Sequence, residues 1–183
     1  MLNNAGFHAI KPLNSSYIDS LITQYILLTL GIAMLVAAAV LLFRPSKVVA
    51  ALPAFIGMLL LHLSYFIAVK TGTFLFWGTA TALVAGLAYM SPQGEPDGQK
   101  ASNLYIGTSA IAGCLLGMIV GARIMVLGVV LGAFVGQLAY SRTPAGRWMR
   151  QPATTFLQYF AAKCLPAIVA VAQMGIAIEG FLM

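Results

Sequence analysis

Charge is scarce in this sequence. Only 8% of its 183 residues are aspartate, glutamate, lysine or arginine, whereas a soluble domain is about 25% charged. Hydrophobic residues make up 61% of the chain, against about 45–50% in an average soluble domain. So few charged side chains cannot cover the surface of a water-soluble fold of this length. The composition therefore excludes an ordinary soluble domain and favours a helical membrane protein.

Side chains for catalysis and metal binding are equally scarce. The chain has four acidic residues, two histidines and two cysteines, and no cysteine lies at the spacing of a metal site. The sequence contains no catalytic pair of carboxylates, no Ser/His/Asp set and no phosphate-binding loop. We therefore predict that the protein is not an enzyme and carries no metal and no cofactor. Cys114 and Cys164, each inside an apolar run, are interpreted as small hydrophobic residues.

The basic residues do not form a patch. The net charge is +6, but the ten lysines and arginines are spread along the chain, and most of them flank apolar runs. Basic residues at such positions report membrane orientation. We therefore predict the lipid bilayer as the surroundings and no nucleic-acid partner.

Long apolar runs dominate the sequence instead. Runs of about 17 or more apolar residues are typical of transmembrane helices. We predict an all-α, polytopic helical membrane bundle of about six transmembrane helices in one integral membrane domain, residues 1–183. Residues 1–20 form a polar lead before an uncleaved first span, 21–90 hold the first three helices, 104–140 a helical hairpin and 153–183 the final helix. The six runs are Leu21–Phe43, Val48–Val69, Phe74–Met90, Leu104–Val120, Ile124–Tyr140 and Phe156–Met183.

The predicted hairpin follows from helix length. A single helix over residues 104–140 would be about 55 Å long, while the hydrocarbon core of a bilayer is about 30 Å thick. Arg123 would then lie near the middle of that helix, at a cost of a few kcal/mol or more. We predict two short helices that turn at Gly121-Ala122-Arg123. Whether this hairpin spans the bilayer or re-enters on one side is left open.

The polar loops give the predicted orientation. Residues 91–103 and 141–152 are too polar to lie in hydrocarbon. With both termini outside, the inner loops carry most of the basic residues, as is typical of the cytoplasmic side. We predict a multi-pass protein of the bacterial inner (cytoplasmic) membrane with both termini outside. The inner basic residues are Arg44, Lys47, Lys100, Arg142, Arg147 and Arg150, and the outer ones are Lys11, Lys70 and Arg123.

Glycine is concentrated in the hairpin. Glycine costs a helix about 1 kcal/mol per residue relative to alanine, but in lipid a row of small residues lets two helix backbones approach closely. We predict that two such rows are helix-packing surfaces within one monomer. An oligomer interface and a lined pathway for a small solute or ion are the alternatives. The rows are Gly113, Gly117 and Gly121, and Gly128, Gly132 and Gly136.

Two stretches carry a family resemblance. GAFVGQ at 132–137, with the repeated glycines before it, and ALPAFIGMLLLHLSYF at 51–66 resemble a family of bacterial multi-pass membrane proteins with glycine-zipper repeats, domain of unknown function 456. The resemblance implies a helical membrane fold over about residues 30–183 and no particular activity. Two departures from the family pattern are Gln137, which stands where glutamate is usual, and a missing second Pro-Gly in the early helix.

Five polar residues inside or beside the predicted spans are candidates for function, since such groups are costly in lipid. His62 is interpreted as a neutral histidine satisfied by a nearby carbonyl or Ser64, with a proton relay or metal ligand as the alternative. Lys163 is predicted to extend to the lipid headgroups, with a buried substrate site as the alternative. Glu179 is predicted to be solvated or to pair with Arg123. Gln137 is the one polar neighbour of the glycine rows.

The basic loop after the hairpin has two interpretations. It marks the cytoplasmic side, and its cations are also candidates for binding anionic lipid headgroups. The candidate residues of the loop are the cations Arg142, Arg147 and Arg150, together with Trp148.

The function predicted from these patterns is that of a structural or assembly subunit. Its glycine-grooved helices would dock other helices of a membrane-protein complex or a second copy in a homo-oligomer. The alternative is a transporter or channel for a small solute or lipid, which would require a broken helix or a polar site at mid-membrane depth.

Overall fold

A computed structural model of the chain describes residues 15–44, 49–90, 96–147, 157 and 160–182. Within these residues the protein is helical and contains no strand, which confirms the predicted all-α class. Five helices are long and apolar enough to cross a membrane, and one is shorter. The helices are α1 (Ser15–Phe43), α2 (Ala51–Leu63), α3 (Thr71–Met90), α4 (Pro96–Val120), α5 (Ala122–Arg142) and α6 (Leu165–Leu182). A five-residue π-helical segment, Phe160–Cys164, leads directly into α6.

The helices run alternately between two ends of the bundle. The end where α4 joins α5 is called the turn end; the last turn of α6 also lies there, where Gly180 packs against Ile67. The opposite end is called the basic end. There the Asn103 amide donates a hydrogen bond to the Arg44 carbonyl at 3.2 Å, and the rings of Tyr105 and Tyr140 lie 5.9 Å apart.

Helix α1 begins earlier than the polar lead predicts. It starts at Ser15, and two polar side chains of its first turns bond to the helix backbone. The Ser20 hydroxyl donates to the Tyr17 carbonyl at 2.8 Å and the Thr23 hydroxyl to the Asp19 carbonyl at 2.9 Å. With 29 residues α1 is about 43 Å long, longer than the hydrocarbon core. Residues 1–14 of the predicted lead lie outside the described residues.

Helix α2 is shorter than the predicted run Val48–Val69. It ends at Leu63, where the Ser64 hydroxyl donates to the Leu61 carbonyl at 2.7 Å and Tyr65 takes a left-handed backbone with φ 62°. Its 13 residues rise only about 20 Å. The backbone over residues 64–70 is irregular, and Lys70, predicted to end this span, precedes the first residue of α3.

Helix α4 corrects the predicted loop 91–103. The helix already begins at Pro96, so residues 96–103 are helical. Proline is well suited to the first turn, because that position needs no backbone N–H donor and the proline φ matches the helix. Residues 91–95 lie outside the described residues.

The hairpin turns at the predicted place. Helix α4 ends at Val120 and α5 starts at Ala122, so Gly121 alone connects them. Its φ of +140° is a conformation that side-chain-bearing residues rarely adopt. The Gly121 carbonyl accepts hydrogen bonds from the amides of Ile124 and Met125, both at 2.9 Å, which starts α5 immediately.

Gly121→Ala is expected to destabilise the protein by about 1–3 kcal/mol through backbone strain alone. A methyl group at this position would touch no other atom within 4 Å. The matched control is Gly72→Ala in the first turn of α3, where the space is equally open and φ is not positive. Thermal unfolding in detergent should show a lower melting temperature for the first variant only. Equal melting temperatures would contradict this account of the turn.

The π-helical segment has a cause in the sequence. Pro166 is the second residue of α6. As a proline it has no backbone N–H, and in a regular α-helix its ring would clash with the carbonyl four residues earlier. One widened turn ahead of the proline relieves that clash. Helix α6 itself is the most buried span of the bundle and contacts every other helix in it.

Candidate functional site

The two glycine rows face each other across the hairpin. A methyl group on Gly113 would collide with the Gly128 carbonyl, and one on Gly128 with the Gly113 carbonyl. A methyl group on Gly117 would lie 2.5 Å from the Cα atom of Met125. Backbone thus lies against backbone along this interface, a separation that only glycine permits.

The same contact continues toward the basic end. A methyl group on Gly132 would collide with the Ser109 carbonyl, and one on Gly136 would lie 2.5 Å from the Tyr105 carbonyl oxygen. Five of the six predicted glycines therefore pack between α4 and α5, while Gly121 forms the turn. The rows are occupied by each other and leave no free glycine groove between these two helices.

Glycine contacts also join helices outside the hairpin. Gly175 of α6 packs on α4 and α5, where a methyl group would lie 2.6 Å from the Met125 sulfur and 2.9 Å from the Cys114 sulfur. Gly31 of α1 faces Gly57 of α2, and a methyl group on Gly57 would lie 3.0 Å from the Gly31 carbonyl oxygen. The sequence analysis did not identify the contact between Gly31 and Gly57, because neither glycine belongs to a repeated row in its own helix.

Gln137 lies fully buried beside the π-helical segment. Its side-chain oxygen accepts a hydrogen bond from the Cys164 thiol at 2.9 Å, across 27 residues of sequence. Cys164 is buried in the apolar core, as interpreted from sequence, and its thiol is in addition a hydrogen-bond donor to Gln137. The ring of Phe160 packs on Phe134 at 6.1 Å, so both ends of the segment are held against α5.

A second buried amide lies at the middle of α6. Gln173 is 0% exposed, and its Nε2 donates to the Thr81 hydroxyl of α3 at 2.7 Å. That hydroxyl in turn donates to the Trp77 carbonyl at 2.7 Å. The Gln173 Oε1 atom has no hydrogen-bond partner within the described part of the chain. A lone glutamine in an apolar run was the only sequence signal for this site, and sequence reasoning overlooked it.

His62 lies next to the C-terminal end of α2. Its Nδ1 atom is 3.2 Å from the Ile67 carbonyl oxygen and 3.4 Å from the Val69 amide nitrogen. One tautomer donates to the carbonyl and the other accepts from the amide, so the ring is satisfied by the irregular backbone in either form. The ring also packs on Phe74 at 4.8 Å.

The remaining polar candidates do not converge on one place. Lys163 is half-buried in the π-helical segment, and burial lowers the pKa of its amine. Glu179 is half-buried in the last turn of α6, at the turn end. Arg123 lies in the first turn of α5, and its side chain is outside the described residues, so the predicted pair with Glu179 is not described.

The basic loop is described in part. Arg142 in the last turn of α5 and Arg147 just after it are both exposed. Trp148 and Arg150 lie outside the described residues. Of the predicted headgroup-binding set, Arg142 and Arg147 therefore lie at the basic end.

An open groove lies on the outward face of α1. Its volume is about 530 Å³, and the polar side chains in its lining are Tyr25 and Thr29. The Thr29 hydroxyl donates to the Tyr25 carbonyl of its own helix, 2.8 Å away. The groove follows one helix face for three turns. Its lining residues are Ile22, Tyr25, Ile26, Thr29, Leu30 and Ala33.

Among the described residues, no group of three or more histidine, cysteine, aspartate or glutamate side chains is placed to hold a metal ion. No family model, no curated protein and no solved structure matches this chain. The resemblance to the domain of unknown function 456 family stays a prediction. The chain is an all-helical protein with several helices suited to the membrane.

Proposed function

We propose that this chain is a structural or assembly subunit of a membrane-protein complex, and that α1 carries its docking face. The observation that carries the proposal is the open groove on α1. The glycine rows of α4 and α5 already pack on each other, so they serve the scaffold of the subunit and not its contact with a partner. The proposal includes the bacterial inner membrane as its location, with both termini outside.

The occupant proposed for the groove is a transmembrane helix of a different protein. The lining residues extend from Ile22 to Ala33, about 16 Å along the helix axis, which matches three turns of a partner helix. The groove is mostly apolar, its Thr29 hydroxyl is bonded within its own helix, and the small residues Thr29 and Ala33 leave room for protruding side chains.

Photo-cross-linking in membranes of the native host tests the proposal. A photoreactive amino acid at Ile26, 60% exposed, is expected to cross-link one membrane protein that mass spectrometry identifies. The control position is Leu116 on α4, 68% exposed and outside the groove, which is expected to give no such product. Ala33→Leu fills the groove and should abolish the cross-link without lowering the melting temperature, because the Ala33 side chain is exposed.

Two outcomes would contradict the proposed function. Cross-links from Ile26 to a second copy of the chain would replace the partner with a homo-oligomer. Cross-links to lipid alone would leave the groove as ordinary lipid-facing surface.

A small-solute carrier or channel is the second candidate. One observation favours it: the Gln173 Oε1 atom is buried at the midpoint of α6 and has no hydrogen-bond donor in the described part of the chain. A carrier binds its solute near mid-membrane depth beside interrupted helices, and α2 gives way to irregular backbone at residue 64. In this reading a donor group of the solute would bond to Oε1.

A further inference from the structure

Four basic residues lie at the basic end of the bundle, and none of the acidic side chains that the structure describes lies there. Arg44, Arg142, Arg147 and Lys163 all lie there, and Lys163 is the only half-buried one among them. The two described acidic side chains are remote, since Asp19 lies near the start of α1 and Glu179 in the last turn of α6. The side chains of Glu95 and Asp97 are outside the described residues.

Lys163 is fixed in place by its neighbours. The adjacent Cys164 bonds to Gln137 of α5, and Phe160 packs on Phe134 of the same helix. Arg142 follows Gln137 by five residues, about 7.5 Å along the axis of α5. Both cations therefore lie at the basic end, Lys163 on the π-helical segment and Arg142 in the last turn of α5.

Lys163 has no counter-charge within the described residues. Glu179 lies sixteen residues after Lys163, which is about 24 Å along the helix axis. A half-buried ammonium group without a partner loses hydration and gains no ion pair, so an anion from outside the protein would stabilise it. At the edge of a membrane span, the anion at the matching depth is a lipid phosphate.

We propose that Lys163 and Arg142 bind the phosphate group of an anionic lipid at the basic end of the bundle. The half-buried amine approaches the phosphate from the protein side, and the exposed guanidinium approaches from the interface and forms up to two hydrogen bonds with its oxygens. The site is independent of the docking face on α1, which lies on another helix.

Native mass spectrometry of the full chain in detergent tests this site with three probes: phosphatidylglycerol, phosphatidylcholine and inorganic phosphate. Phosphatidylglycerol is expected to bind more tightly than phosphatidylcholine, and inorganic phosphate is not expected to displace it. Lys163→Gln and Arg142→Gln should each weaken phosphatidylglycerol binding by about fivefold. Lys163→Arg should retain binding, because it keeps the charge.

The matched control is Lys70→Gln, which removes a cation of the same type from the opposite end and should leave binding unchanged. A melting curve of each variant confirms that it is folded. An equal loss in the Lys70 variant would overturn the site in favour of a general charge effect. Equal binding of the two lipids, or displacement of the lipid by inorganic phosphate, would overturn the lipid as the ligand.

Discussion

Gly132→Ala is expected to lower the melting temperature of the protein by several degrees. The added methyl group collides with the Ser109 carbonyl, which belongs to the α4 backbone and cannot rotate away. Helices α4 and α5 must then separate, and contacts along the whole hairpin weaken. Overpacking of this kind costs about 1–3 kcal/mol, or about 2–4 °C per kcal/mol for a chain of this size. Gly132→Leu should be more severe.

The control for this prediction is Gly86→Ala in α3. A methyl group there meets no atom within 4 Å, and alanine favours the helix by up to about 1 kcal/mol over glycine. Its melting temperature in detergent should equal or exceed that of the unmodified protein. If both variants lost the same stability, the glycine contacts between α4 and α5 would have no special importance.

Thr81→Val is expected to destabilise the protein by about 1–3 kcal/mol, because it removes the hydroxyl that accepts from Gln173 and leaves a buried amide poorly bonded. Gln173→Leu removes the amide together with its unpaired oxygen, so it should cost less. The double variant should therefore recover most of the stability lost in Thr81→Val, which a double-mutant cycle in detergent measures.

Thr79→Val provides the matched control for that cycle. Thr79 lies on the same helix and its hydroxyl bonds to the Leu75 carbonyl at 2.8 Å, but it is exposed and contacts no glutamine. Thr79→Val should lower the free energy of unfolding by no more than about 0.5 kcal/mol. If Gln173→Leu alone cost as much as Thr81→Val and the double variant showed no recovery, the Gln173 oxygen would have a partner. That result would favour the carrier alternative.

The sequence predicted the elements that depend on local pattern. Apolar runs located the spans, and helix length together with the position of Arg123 located the turn at Gly121-Ala122-Arg123. The ends of α2 and α4 were misjudged for physical reasons. Hydropathy does not register that the Ser64 hydroxyl and the left-handed Tyr65 end a helix inside an apolar run. The polar composition of residues 91–103 likewise predicted a loop at Pro96, whereas Pro96 is the first residue of α4.

The buried polar contacts were beyond prediction from sequence. Gln173 bonds to a threonine 92 residues away, and Gln137 bonds to a thiol 27 residues away. These hydrogen-bond partners depend on how α6 packs on α3 and α5, and that packing cannot be predicted from the spacing of residues within one helix. Gln137 was therefore identified from the sequence without its partner, and Gln173 was not identified.

The single-residue link at Gly121 bears on how the protein enters the bilayer. With no slack between α4 and α5, neither can move sideways into lipid while the other stays behind in the insertion machinery. We expect the pair to leave that machinery together as a closed hairpin. In the proposed orientation, with both termini outside, the charge of Arg123 would then cross the hydrocarbon in a single event.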